Sequence, residues 1–139
     1  MPLIDLPLPE LRRYAGRNPR PADFDDYWTR ALAELARTDP QPELKPAAFS
    51  APGAECFDLW FTGIGGARIY AKYLRPKTKG PHPAVLQFHG YYGSSADWFD
   101  KLGWPASGVV CAAMDARGQG GRSEDPGGTK GTTVRGHII

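Results

Sequence analysis

Cysteine is scarce: Cys56 and Cys111 are the only 2 in a chain of 139 residues. Both fall inside runs with strand character, and no second Cys or His stands at ligand spacing from either. This argues against a disulfide framework or a zinc site and predicts two buried free thiols. Charge of one sign is scarce too. The 17 Lys and Arg nearly balance the 15 Asp and Glu, leaving a net charge of +2. The basic residues are scattered rather than striped, so neither a nucleic-acid footprint nor a polybasic membrane patch is expected. No apolar run reaches the length of a membrane span. The opening Met1-Pro2-Leu3-Ile4-Asp5-Leu6-Pro7 lacks both the basic start and the apolar stretch of a secretory signal. The expectation is a cytoplasmic protein. No internal repeat and no low-complexity tract interrupts the chain.

What is present suits one modest α/β domain. The hydrophobic fraction of 41% is enough for a core, and the 14 Pro and 17 Gly predict many turns. Residues 1–22 are Pro-rich and read as an extended arm. Residues 23–37 read as a helix, because Phe24, Tyr27, Trp28, Ala31, Leu32 and Leu35 form one apolar stripe. That stripe is expected to pack against the domain. Residues 40–54 are loop-like or at most a short edge segment. Residues 56–61 and 68–74 read as two strands of a hairpin, joined through Gly63, Gly65 and Gly66. The spacing of these glycines fits neither a dinucleotide-binding loop nor a P-loop. Residues 83–88 and 109–114 are short apolar runs, which suit strands of a parallel sheet buried on both faces. Between them, residues 94–107 leave room for a short crossover helix carrying Trp98, Leu102 and Trp104. An antiparallel hairpin followed by a parallel βαβ unit is the opening order of an α/β-hydrolase sheet.

The chemistry points the same way. In open α/β sheets ligands sit beyond the carboxyl ends of the strands. Here those positions are occupied by His89-Gly90-Tyr91 and by Asp115-Ala116-Arg117-Gly118-Gln119-Gly120-Gly121. Ester hydrolysis needs a nucleophile, a base and N–H donors for the developing oxyanion. Gly90 lets the backbone turn closely, and the N–H of Tyr91 is the natural donor. The nucleophile is missing. Ser50, Ser94, Ser95, Ser107 and Ser123 all fail the G-x-S-x-G pattern: Ser95 and Ser123 have Gly two before but Asp97 and Asp125 two after. His82 lies between two prolines and reads as a turn residue. His89 is expected to pack or hydrogen-bond beneath the oxyanion loop. His137 follows no nucleophile, so a structural role is expected. Asp115 and Arg117 are expected to form ion pairs that hold their loop, with Gln119 a further structural member.

Beyond these local patterns, the chain resembles the N-terminal part of the acetyl xylan esterase/cephalosporin-C deacetylase family, carbohydrate esterase family 7. The resemblance is carried by Leu6-Pro7-Leu8-Pro9-Glu10-Leu11, Tyr14-Ala15-Gly16, Asn18-Pro19-Arg20-Pro21, Asp23-Phe24, Phe88-His89-Gly90-Tyr91 and Trp104-Pro105. The most specific segments run from Met114 to Ser123 and from Gly136 through His137 and Ile138 to Ile139. It implies a serine esterase that removes acetyl groups from short xylo-oligosaccharides and from cephalosporin C. Such enzymes are cytoplasmic α/β-hydrolases without a cofactor or metal, often assembled as hexamers. By position Tyr91 matches the residue whose backbone N–H forms half of the oxyanion hole, and Trp104 an aromatic near the acyl pocket. The family's Ser, Asp and His lie downstream of the matched region.

The resulting expectation is an N-terminal fragment that is inactive until joined by a C-terminal part carrying the triad, present in the same or a separate chain. Two alternatives stay open: a non-catalytic interaction module, or part of another α/β-hydrolase such as a dienelactone hydrolase.

Overall fold

The structure, a computed structural model, describes residues 5–125. Its five strands are β1 (Glu43–Pro46), β2 (Ala54–Thr62), β3 (Arg68–Pro76), β4 (Ala84–Phe88) and β5 (Val110–Met114), ordered β1-β2-β3-β5-β4 across one sheet. β1, β2, β3 and β5 run antiparallel to one another in turn, and β4 runs parallel to β5. The expected hairpin and parallel unit are therefore both present, and the short edge segment before them is β1.

The chain divides into two compact units, residues 1–33 and 34–139. The first holds the single-turn helix α1 (Leu8–Leu11) and most of α2 (Phe24–Arg37). Asp25 and Asp26 lie in the first turn of α2 and Arg37 in its last, the arrangement its dipole favours. Its apolar stripe is not covered within its own unit. Phe24, Tyr27 and Trp28 are 41%, 56% and 48% exposed; the Trp28 ring meets Phe24 at a tilt, centroids 6.2 Å apart, and Tyr27 edge-on at 5.5 Å. Within its own unit only the short Pro-rich segment is available to cover the stripe.

In the second unit, β2 and β3 pair from Ala54 opposite Pro76 to Thr62 opposite Arg68. Gly65 (φ 70°) and Gly66 (φ 78°) make the left-handed turn between them, a conformation that glycine adopts without steric cost. The core lies around Ala54, Cys56 and Leu74, against which Phe49, Trp98 and Leu102 pack. Phe49 and Trp98 stack at 5.9 Å with their planes 7° apart. Both cysteines are free and buried, as expected, and burial pushes both thiols up from their ordinary value.

The crossover from β4 to β5 is thinner than expected. It contains a single 3-10 turn (Phe99–Lys101) and a one-turn helix, α3 (Gly103–Ala106). Gly103 and Pro105 disfavour a longer helix, and Gly108 (φ 79°) turns the chain into β5. β4 also departs from expectation. Leu86 and Phe88 are 68% and 66% exposed, so the strand is not buried on both faces. Among the described residues β5 is its only strand neighbour, which leaves one edge and one face of β4 uncovered.

An apolar, unpaired edge of this kind templates association. The 139-residue chain produced alone is expected to elute from size exclusion as oligomers or aggregates. A Leu86→Lys/Phe88→Lys double variant should shift it toward monomer, as measured by multi-angle light scattering.

Candidate functional site

Parallel pairing builds the site. Phe88 is in register with Met114, so the next residues, His89 and Asp115, emerge side by side at the carboxyl rim of two neighbouring strands. This is the rim where open α/β sheets bind ligands. The loop after β4 and the loop after β5 meet there through three sets of hydrogen bonds.

The first set centres on Asp115, which is 2% exposed. Its Oδ1 accepts the N–H of Ser95 at 2.5 Å and its Oδ2 accepts that of Arg122 at 2.8 Å. The Asp115 N–H donates to the Tyr70 carbonyl on β3 at 2.9 Å. Ser123 Oγ donates to the Asp115 carbonyl at 2.6 Å and accepts the Tyr70 N–H at 2.9 Å. Among the described residues Asp115 makes no ion pair. Backbone N–H groups from both loops converge on the carboxylate and satisfy it at close range. Gly121 permits this packing, since a Cβ there would lie 2.1 Å from Asp115 Cγ. Arg117 does form the expected kind of pair, with Asp125 at 3.1 Å, and also donates to the Ile64 carbonyl at 3.1 Å.

The second set is made by Gln119, which is buried. Its Oε1 accepts the Tyr92 N–H at 2.5 Å, and the Gly120 N–H beside it donates to the Gly93 carbonyl at 2.9 Å. A Cβ on Gly120 would meet the Tyr92 carbonyl oxygen at 2.8 Å. Tyr92 is held at φ 65°, a left-handed conformation that costs a non-glycine residue about 1–2 kcal/mol.

His89 makes the third connection. Its Nε2 accepts the Ala116 N–H at 2.9 Å, and its Nδ1 lies 2.7 Å from the Gly90 carbonyl oxygen. The same carbonyl accepts the Gly93 N–H at 3.0 Å. As expected, His89 hydrogen-bonds beneath the loop. Among the described residues nothing accepts the N–H of Tyr91.

Sequence reading missed the support that β3 supplies. Lys72 Nζ donates to Ser95 Oγ at 2.9 Å and lies 5.4 Å from the ring centroids of both Tyr70 and Trp98. Loss of hydration pushes its ammonium down from the ordinary 10.5, while the charge of Asp115 opposes the shift. Next to it, Tyr70 Oη donates to Asp58 Oδ1 at 2.6 Å. Arg122 pairs with that same oxygen at 3.0 Å and covers the Tyr70 ring at 4.1 Å. Burial first, then the bond to Asp58, holds the Tyr70 phenol above its ordinary value. One signal was available: Asp58 and Lys72 interrupt apolar strands and are register partners across β2 and β3.

The remaining candidates stand apart. Ser95 and Ser123 are buried and engaged in these bonds, and Ser107 Oγ donates to Gly103 O at 2.9 Å. His82 Nε2 lies 2.9 Å from the Thr78 carbonyl oxygen, in the irregular segment between β3 and β4. Trp104 sits on α3, 36% exposed. It does not line the open hollow of about 460 Å³ formed by Leu86, Phe88, His89, Ser94, Ser95 and Lys101. His137 and its neighbours fall outside the described residues. Among the described residues no three His, Cys, Asp or Glu cluster as a metal site, and no helix is long and apolar enough to cross a membrane.

The acetyl xylan esterase family model matches residues 1–139. The chain is similar in structure to acetyl xylan esterase 1 from Thermoanaerobacterium sp. JW/SL YS485, at 57% identity and a TM-score of 0.87 over 97% of this chain. It is also similar to an acetyl xylan esterase from Paenibacillus sp. R4, at 25% identity and a TM-score of 0.77 over 94% of this chain. It spans only 43% and 42% of those two chains, respectively.

Gly121→Ala is expected to destabilise the fold by about 2 kcal/mol or more, since the methyl group would displace Asp115. Gly53→Ala, where a Cβ meets nothing within 4 Å, is the control and should change stability by less than ~0.5 kcal/mol in urea titrations. Lys72 sets a pH dependence. In the window just below 10.5 the unfolded chain holds the Lys72 proton more tightly than the folded one, so the Lys72 contribution to stability rises with pH there. Lys72→Met should remove that rise, read from unfolding midpoints across the window.

Proposed function

The chain belongs to the acetyl xylan esterase family, and from that premise we propose that it is the N-terminal portion of a serine esterase acting on small acetylated sugars. The substrates in this reading are acetylated xylo-oligosaccharides and cephalosporin C. The N–H of Tyr91 supplies one of the two donors to the oxyanion of the tetrahedral intermediate. The nucleophile, its base and the acid come from a C-terminal part, and this chain alone is inactive. By the same resemblance the complete protein is a cytoplasmic homo-oligomer, a hexamer, that works without a cofactor.

The observation that carries the reading is the state of the loop after β4. It stands at the rim where a hydrolase binds its substrate, held by hydrogen bonds at Gly90, Tyr92, Gly93 and Ser95, while the Tyr91 N–H has no acceptor among the described residues. A loop held in place with a free donor at Tyr91 is what electrostatic stabilisation of an oxyanion requires, because little reorganisation is then needed as charge develops. Backbone strain at Tyr92 fits a loop shaped for ligand rather than for stability alone. The chemistry then follows the usual acyl-transfer course. A serine oxygen attacks the acetyl carbonyl, its proton passes to the base, and the negative oxygen is held by the two donors. The alcohol leaves with that proton, and water releases acetate from the acyl-enzyme.

The complete polypeptide should hydrolyse p-nitrophenyl acetate and release acetate from acetylated xylo-oligosaccharides and cephalosporin C. A serine-directed sulfonyl fluoride should abolish both activities. The 139-residue chain alone should show neither. Turnover by this chain alone at the rate of the complete protein would overturn the reading, as would a complete protein indifferent to the sulfonyl fluoride.

A further inference from the structure

We propose that His89 is the positioning residue of the oxyanion hole, pinning the peptide between Gly90 and Tyr91 so that the Tyr91 N–H faces the reacting carbonyl. The inference rests on the role given to Tyr91 above and concerns how its direction is enforced.

The argument begins with the two ring nitrogens. The partner of Nε2 is the Ala116 N–H, at 2.9 Å, which can only donate. The partner of Nδ1 is the Gly90 carbonyl oxygen, at 2.7 Å, which can only accept. Both contacts are satisfied by one form of the ring alone, the neutral tautomer with its proton on Nδ1. Ala116 lies in the loop leaving β5, so the ring is anchored beside the strand next to β4 and extends one donor toward Gly90.

The carbonyl of Gly90 belongs to the same peptide unit as the N–H of Tyr91. In a trans peptide the two point in opposite directions. A carbonyl held toward the His89 ring therefore directs the Tyr91 N–H away from it. Rotating this peptide would break two hydrogen bonds at once, from His89 Nδ1 and from the Gly93 N–H at 3.0 Å. The corner is shaped for this double acceptance. A Cβ on Gly93 would lie 2.9 Å from Gly90 O and 3.1 Å from His89 Nδ1, so only glycine lets the loop close over both. On the far side Gln119 holds the next N–H, that of Tyr92, at 2.5 Å. The donor at Tyr91 is thus bracketed by one bond before it and one after it, with His89 setting the plane.

The two ring contacts can be separated by substitution in the complete protein. His89→Asn retains a donor near the position of Nδ1 and loses the acceptor at Nε2. His89→Gln retains an acceptor near Nε2 and loses the donor to Gly90. His89→Ala loses both. Removing an oxyanion donor outright costs about 10²–10³ in kcat, and a donor that is misaimed part of the time costs less. With p-nitrophenyl acetate, His89→Ala and His89→Gln should lower kcat by ~10–100-fold with KM within ~2-fold, while His89→Asn stays within ~5-fold of wild type. Crystal structures should show the Gly90 carbonyl rotated or in two orientations in His89→Gln and in its native orientation in His89→Asn. The reverse order, with His89→Gln active and His89→Asn impaired, would make His89 a tether between loops and overturn the proposal. An unrotated carbonyl in His89→Gln would overturn it too, even where His89→Ala fails to fold. A wild-type protein without esterase activity would instead overturn the role of Tyr91, and the orientation of the Gly90 carbonyl would still test His89.

Discussion

A single buried carboxylate organises this structure. Asp115 stands at the end of β5, where its two oxygens take an N–H from the loop after β4 and an N–H from its own loop. Hydrogen bonds to a charged acceptor contribute more than neutral ones, about 1.5–3 kcal/mol each, and a buried acceptor left without partners is correspondingly costly. The two loops are therefore coupled through this carboxylate. Gly121 belongs to the same constraint, because the chain can cross over the carboxylate only where there is no side chain.

The polar groups of β3 extend this arrangement. Lys72 reaches Ser95, whose N–H is on Asp115, and Arg122 joins the Asp115 loop to Asp58 and Tyr70. Charges here are paired with aromatic faces and hydrogen-bonded partners, which is how partly buried ions avoid the full loss of hydration. In the esterase proposed above, the benefit would be preorganisation. A backbone donor aimed at an oxyanion is useful only when its loop cannot relax away, and hydrogen bonds from the loop after β5 to Tyr92, Gly93 and Ser95, with His89 at Gly90, oppose that relaxation.

Much of the fold was legible in local patterns. Alternation in residues 56–61 and glycines after Thr62 marked the hairpin, and apolar runs marked β4 and β5. Buriedness was less legible. The face of β4 carrying Leu86 and Phe88 has the composition of a buried surface but is exposed, since burial depends on what lies opposite and not on the side chain itself. The candidate site was legible as two loops: His89, Gly90, Tyr91, Asp115, Arg117 and Gln119 all belong to them. Lys72, Asp58, Tyr70 and Arg122 were not recognised as a group, because the first three lie on strands far from those loops in sequence.

The sequence by itself determined the strand runs, the hairpin turn, the family, and the absence of a serine on a nucleophile elbow. These depend on neighbouring residues, whose chemistry and spacing are written in order along the chain. The tertiary structure decided the partners. Among the described residues Asp115 binds backbone N–H groups rather than a cation, Gln119 holds Tyr92, and His89 points one nitrogen at Ala116 and the other at Gly90. The contacts of Asp115 with Ser95, Gln119 with Tyr92 and His89 with Ala116 join two loops that only the parallel register of β4 on β5 brings to one rim. A hydrogen bond depends on distances of about 3 Å and on direction, which no linear spacing specifies.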